Sequence, residues 1–160
     1  MSTQQKMNIT IPTHAIMAAM LVAPKDDQLL YLNGIRLDKA AGHLAATNGH
    51  VLFTYDSLDL ASMEKSLTLP HFSLKGHGVS KGTMRSSTTT ITQEGEDELR
   101  VTIESTFGQV ICVQIIKPLK TDEWPDISKV IPPEDSLSDS SIGGFNPKYI
   151  KLATKIFKSH

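Results

Sequence analysis

The chain has 160 residues, a formal net charge of −1, 39% hydrophobic residues and one cysteine, which fits a single domain with a small appendage. Its longest uninterrupted apolar run, Ala15–Ala23, reaches about half of the ~20 residues that cross a bilayer, so no membrane partner is expected. Balanced charge excludes a protein that coats nucleic acid through excess Lys and Arg, and the apolar content excludes wholesale disorder.

Asn8, Thr10, Thr13, His14 and Pro24 interrupt or flank that apolar run, which makes it a poor secretory signal. Met7–Ile11 alternates as a short strand, and Pro12 with Thr13 opens a helix over Ala15–Val22 that Pro24 closes. This helix is apolar nearly all round and is expected to be buried. Leu29–Leu37 is strand-like, with Asn33-Gly34 as a kink or bulge. His43–Thr47 and His50–Tyr55 flank Asn48-Gly49, the pair that favours a two-residue type I′ hairpin because both central residues need positive φ. From Leu67 to Lys81 the pattern is mixed, with Pro70, Gly76 and Gly78 breaking any long helix and one short turn expected over Phe72–Leu74.

Three more strands follow. Thr83–Thr92 is rich in β-branched residues, Glu98–Glu104 places Leu99, Val101 and Ile103 on one face, and Val110–Ile116 is apolar on both faces. Turns at Glu94-Gly95 and Phe107-Gly108 join them as an antiparallel meander. Cys112 lies within the last of these runs, which suits a packed thiol in a reducing compartment, and the cytoplasm is the expected location. The fold class is therefore α+β with antiparallel sheet.

A second unit begins after Pro132-Pro133. Residues 1–132 form the first domain, and 133–160 hold a linker rich in Ser, Asp and Gly and then one helix. Asn146 as N-cap with Pro147 at the first helical position marks its start. Lys148, Lys151, Lys155 and Lys158 fall in one stripe of that helix, while Tyr149, Ile150, Leu152, Ala153, Ile156 and Phe157 occupy the rest. The apolar part docks on the first domain, meets another chain, or awaits sequence that would normally follow.

Catalytic spacing is not found. His43 and His50 flank a hairpin, His71 and His77 lie in the broken segment, and no Cys or carboxylate falls in a metal-ligand pattern. No nucleophile elbow and no phosphate-cradling glycine loop occurs. No enzyme, metal or cofactor is expected.

Three segments carry more information. Tyr31-Leu32-Asn33-Gly34, then Ala46-Thr47-Asn48-Gly49-His50-Val51-Leu52, then Glu123-Trp124-Pro125-Asp126-Ile127-Ser128-Lys129-Val130-Ile131-Pro132 occur in that order. Together they resemble the middle domain of the bacterial sliding clamp, the DNA polymerase III beta subunit, over residues 7 to 132. The family's usual forms are Tyr-Leu-Asn-Gly, Ala-Thr-Asp-Gly-His-Arg-Leu and Phe-Pro-Asp-Tyr-Arg-Arg-Val-Leu-Pro. Gly144-Phe145-Asn146-Pro147-Lys148-Tyr149-Ile150 resembles a helix opening in the clamp's last domain, an arrangement similar to shortened phage or prophage clamp-like proteins. The same residues taken alone also admit a purely structural reading, in which Asn48-Gly49 makes a hairpin and Leu32 and Leu52 fill a core.

The resemblance implies a DNA-clamp-like α+β fold whose second domain is incomplete, and a replication protein that tethers or recruits others without chemistry of its own. It implies partners that insert a peptide with Leu and Phe anchors, such as DNA polymerase and the clamp loader. The matching pocket positions are Leu32, Thr47, Gly49, His50, Val51, Leu52, Pro125, Lys129 and Val130, with Val51 in place of the usual arginine. It also implies contact with double-stranded DNA and assembly into a homo-oligomer. Lys148, Lys151, Lys155 and Lys158 are the cations available for phosphates, though the stripe also reads as an ordinary solvated face. The alternative is a stand-alone regulator or decoy that binds clamp-binding peptides or a host clamp without encircling DNA.

Overall fold

A computed structural model describes residues 7–74, 80–121, 123–131 and 146–157. Among these, eight strands form two four-stranded antiparallel sheets. The first has the order β1-β6-β7-β8, built from β1 (Asn8–Pro12), β6 (Thr88–Gln93), β7 (Leu99–Glu104) and β8 (Val110–Ile116). The second has the order β4-β3-β2-β5, from β2 (Gly34–Asp38), β3 (His43–Thr47), β4 (Leu52–Asp56) and β5 (Leu67–Pro70). Helices α1 (Thr13–Val22), α2 (Lys81–Arg85) and α3 (Pro147–Phe157) complete the α+β arrangement.

The core follows from alternation on the strands. Ile9 and Ile11 of β1, Ile91 of β6 and Leu99 and Val101 of β7 share one buried cluster with Ile35, Leu37, Leu44 and Leu69 of the other sheet. Helix α1 adds Ala15, Ile16, Ala18, Ala19 and Val22 to it. Thr13 opens the helix buried, yet its hydroxyl is satisfied by Thr89 Oγ1 at 2.9 Å and by the Ser87 hydroxyl at 2.8 Å, as a buried polar group requires. Leu21 departs from the expected burial, being half-exposed.

Local chemistry overrides pattern in several places. The expected strand over Leu29–Leu37 is a 3-10 turn at Leu30–Leu32 followed by β2. The Asn33 carboxamide accepts from the Asp27 backbone N–H at 2.6 Å and donates to the Asp27 carbonyl at 2.7 Å, which folds residues 27–33 into a loop instead of extending them. Gly34 then starts β2 where a Cβ would overlap the Leu69 carbonyl oxygen and the Thr68 side chain of β5. Thr83–Arg85 belongs to α2 and not to a strand, because the Ser80 hydroxyl accepts from the Thr83 N–H at 3.1 Å and caps a helical turn. Strand β5, and a 3-10 turn at Leu58–Ser62, occupy stretches with no clear period in the sequence. The expected turn over Phe72–Leu74 is not helical, and Gly76, His77 and Gly78 lie outside the described residues.

Strand β8 is an edge strand, so its apolar residues are not all buried. Val110, Val113 and Ile115 are about half exposed and Cys112 is partly exposed, contrary to the packed thiol expected there. Among the described residues no helix is long and apolar enough to cross a membrane.

Candidate functional site

The β3–β4 hairpin forms, but with a four-residue connection. Thr47 pairs with Leu52, leaving residues 48–51 as the tip, so the expected two-residue type I′ turn is not the one adopted. Asn48 acts through its side chain, as turn asparagines do. Its Oδ1 accepts from the backbone N–H of His50 at 3.0 Å and of Val51 at 2.9 Å. The Thr47 hydroxyl accepts from the Gly49 N–H at 3.1 Å. Gly49 has φ +81°, and no atom lies within 4 Å of where its Cβ would be. The glycine is there for its left-handed backbone, and it leaves the tip open.

These bonds hold His50 outward, where it meets α3. Asn146 Oδ1 accepts from the Lys148 N–H at 3.0 Å, with Pro147 opening the helix, the start expected from the sequence. Tyr149 then stacks on His50, with ring centroids 5.5 Å apart and planes at 28°. Ile156 is buried in the core cluster and Leu152 packs against it. Helix α3 therefore docks on the body of the protein through a stripe at i, i+3 and i+7 that includes Tyr149, Leu152 and Ile156. Ile150 and Phe157, expected in the same apolar face, point away and are exposed. Six apolar residues span too much of the circumference for one contact to cover.

Docking creates an open cleft of about 410 Å³. Leu21 of α1, Asn48 and His50 of the tip, and Lys148, Tyr149, Lys151, Leu152 and Lys155 of α3 line it. The lining combines Leu21, Leu152 and an aromatic ring with three exposed lysines and no carboxylate. Such a site suits a ligand with an apolar part and a negative part. Two expectations kept apart in the sequence converge here: His50 from the peptide set and Lys148, Lys151 and Lys155 from the DNA set. Lys158 lies outside the described residues.

The other peptide positions are distributed. Thr47 is buried at the base of the tip, Val51 packs against the core, and Leu52 opens β4 half-buried. Leu32 is buried in its 3-10 turn. Pro125, Lys129 and Val130 are exposed around a 3-10 turn at Ile127–Lys129 whose described hydrogen bonds are its own. There the Asp126 carboxylate accepts from the Ser128 hydroxyl at 2.5 Å and pairs with Lys129 at 3.2 Å. The Ser128 and Lys129 contacts hold the Asp126 carboxyl below the ordinary carboxylate range. A second open cleft, about 480 Å³, lies between Leu29, Leu30 and Tyr31 on one side and Lys120, Thr121 and Glu123 on the other.

Leu21, Asn48, Tyr149 and Leu152 of the first cleft are not among the site positions expected from sequence, where Asn48 reads as a turn residue and Tyr149 and Leu152 as part of an apolar helix face. An all-apolar helix has no period to show which residue faces out, so Leu21 carries no signal. Tyr149 and Leu152 carried one, the i, i+3 spacing after the Asn146 cap. His71, which the sequence places in no metal-ligand spacing, has Nε2 at 3.1 and 3.0 Å from the carbonyl oxygens of Ala23 and Pro24 and ties down the end of α1. Among the described residues no group of three or more His, Cys, Asp or Glu gathers to hold a metal ion.

No protein-family model matches the chain, and no curated protein matches it. Among solved structures the chain is similar to a DNA polymerase sliding clamp from Pseudomonas aeruginosa, crystallised with a ligand. The match has 18% identity and a TM-score of 0.48 and covers 81% of this chain and 35% of that one. The chain thus spans about a third of the length of that clamp.

Proposed function

We propose that the protein is a non-enzymatic sliding-clamp-like platform of DNA replication, acting in the cytoplasm, that captures peptides with Leu and Phe anchors from replication proteins such as DNA polymerase and the clamp loader. Residues 1–132 are the clamp-like unit in this reading, and 133–160 are a linker and the start of a second one. The observation that carries it is the cleft where the His50 tip meets Tyr149. The three ordered segments quoted above supply the family reading, and the tip at Thr47–Leu52 is the best-formed of them. Leu32, Pro125, Lys129 and Val130 remain the outer members of the peptide site.

Magnitudes shape the reading. Two apolar anchors contribute about 1.5–3 kcal/mol each on burial, while micromolar affinity takes about 8 kcal/mol. Lys148, Lys151 and Lys155 are exposed, so an ion pair with an acidic residue of the peptide adds about 0.2–1 kcal/mol and acts more on encounter and orientation than on depth of binding. The test is fluorescence anisotropy with a labelled peptide containing Leu, Phe and one carboxylate. Leu21→Arg should weaken binding at least tenfold and added salt should weaken it further. Equal affinity for the variant and the parent protein would contradict the site.

Double-stranded DNA is the second implied ligand of the same lysines. The regulator or decoy reading is favoured by one observation: the three lysines border the cleft, so an acidic peptide seated there would cover them. Replacing Lys148, Lys151 and Lys155 together with Gln separates the readings. A DNA-bound platform should lose about three units of the slope of log affinity against log salt, at ~0.9 per phosphate contact. A decoy should show no DNA slope to lose, and its peptide affinity should fall.

A further inference from the structure

We propose that Asn48 is a site of spontaneous modification: the backbone nitrogen of Gly49 displaces its carboxamide nitrogen to close a succinimide, which water opens to aspartate or isoaspartate. The chemistry does not depend on what the cleft binds. It needs an unhindered nitrogen next in the chain, and glycine supplies one because it carries no Cβ. The chain holds two Asn-Gly pairs, Asn33-Gly34 and Asn48-Gly49, and the fold treats them oppositely. At the first, Gly34 is buried and paired with Pro70, and a Cβ there would overlap the Leu69 carbonyl oxygen. Both polar atoms of the Asn33 carboxamide are engaged by the Asp27 backbone, so ring closure requires sheet and loop to separate first. At the second, Gly49 is exposed at φ +81°, with open space where its Cβ would be. Residues 48–51 lie beyond the last ladder pair of the hairpin, Thr47 with Leu52.

The hydrogen bonds of the tip favour the reaction. Attack by the Gly49 nitrogen makes the Asn48 Cγ tetrahedral, with negative charge developing on Oδ1. That atom already accepts from the backbone N–H of His50 at 3.0 Å and of Val51 at 2.9 Å, two donors fixed where an oxyanion forms. The Gly49 N–H donates to the Thr47 hydroxyl at 3.1 Å, which relays the proton to solvent as the new C–N bond forms. The bond from Cγ to Nδ2 then breaks, Nδ2 takes a proton from water, and ammonia leaves. Water next adds to one carbonyl of the ring. Breaking the ring bond at Cγ gives aspartate, and breaking it at the main-chain carbonyl gives isoaspartate, with the chain rerouted through the side chain. Either product sets a carboxylate beside Lys148, Lys151 and Lys155, in a cleft whose lining has none. Aspartate keeps the two N–H contacts and makes them charge-assisted. Isoaspartate adds a methylene to the main chain and displaces His50 from its stack on Tyr149.

Ageing of the full chain in mildly alkaline buffer, followed by tryptic mass mapping, tests this. The two pairs fall in different peptides, residues 26–36 and 40–65. The second should gain the mass that separates –OH from –NH2 and split into aspartate and isoaspartate forms, about tenfold or more faster than the first. Its rate should rise with pH, because the attacking nitrogen has to shed its proton. Asn48 should react at least as fast in the folded chain as in denaturant, whereas Asn33 should accelerate on unfolding. Gly49→Ala should slow conversion by about tenfold or more by crowding the nitrogen. Equal conversion of Asn33 and Asn48 in the folded chain would overturn the proposal. So would an Asn48 peptide that stays unmodified until the chain unfolds. If Gly49→Ala does not fold, the comparison of the two pairs in the parent protein decides alone.

Discussion

Asn33 shows how one side chain redirects a segment. Its two hydrogen bonds to the Asp27 backbone turn residues 27–33 and set Leu32 into its buried position. Asn33→Ala removes both and leaves the Asp27 N–H without this partner, so a loss of about 1–2 kcal/mol is expected in denaturant unfolding. The strand pattern of Leu29–Leu37 hid this because a carboxamide competing for backbone groups leaves no trace in hydrophobic period. Asp126 is a second case. Its carboxyl is held below the ordinary range by the Ser128 hydroxyl and by Lys129. A lowered folded-state value means that its contribution is present above the unfolded value, about 3.9, and is lost as pH falls through the folded one. A carboxyl NMR titration should place its midpoint below that of a free aspartate, and Ser128→Ala should move it up.

Helix α3 is the element on which the site depends. At 11 residues it is too short to hold its shape alone in water, so its order comes from docking Leu152 and Ile156 on the core. Ile156→Ala should cost about 2 kcal/mol, equivalent to about thirtyfold in the docking equilibrium. Amide exchange over 151–157 should accelerate by about that factor while β7 keeps its protection. Equal acceleration in both would mean that α3 does not open separately. The alternation of Leu99, Val101 and Ile103 read directly as β7, and Asn146-Pro147 read directly as the start of α3, because local preference and tertiary burial agree there. The Asn48-Gly49 pair marked the hairpin but not its length, since Asn48 accepts two backbone N–H groups through its side chain where the pattern called for a left-handed backbone. The burial of β8 was not legible because sheet order, not sequence, makes it an edge.

At the scale of the molecule, two antiparallel sheets share one core with α1 across it, and α3 closes over the hairpin tip. The cleft exists only in the assembled fold: Leu21, His50 and Tyr149 come from three elements far apart in the chain. Sequence supplied the tip and the lysines separately, and packing brought them together. Chemical-shift mapping on the full chain with an unlabelled peptide carrying Leu, Phe and a carboxylate tests the proposed capture most directly. Saturable shifts at Leu21, Gly49, His50 and Tyr149 are the expected result, spreading to Leu32 and Val130 if the outer positions belong to the same site. Shifts confined to other surfaces, such as the second cleft at Leu30 and Thr121, would contradict it.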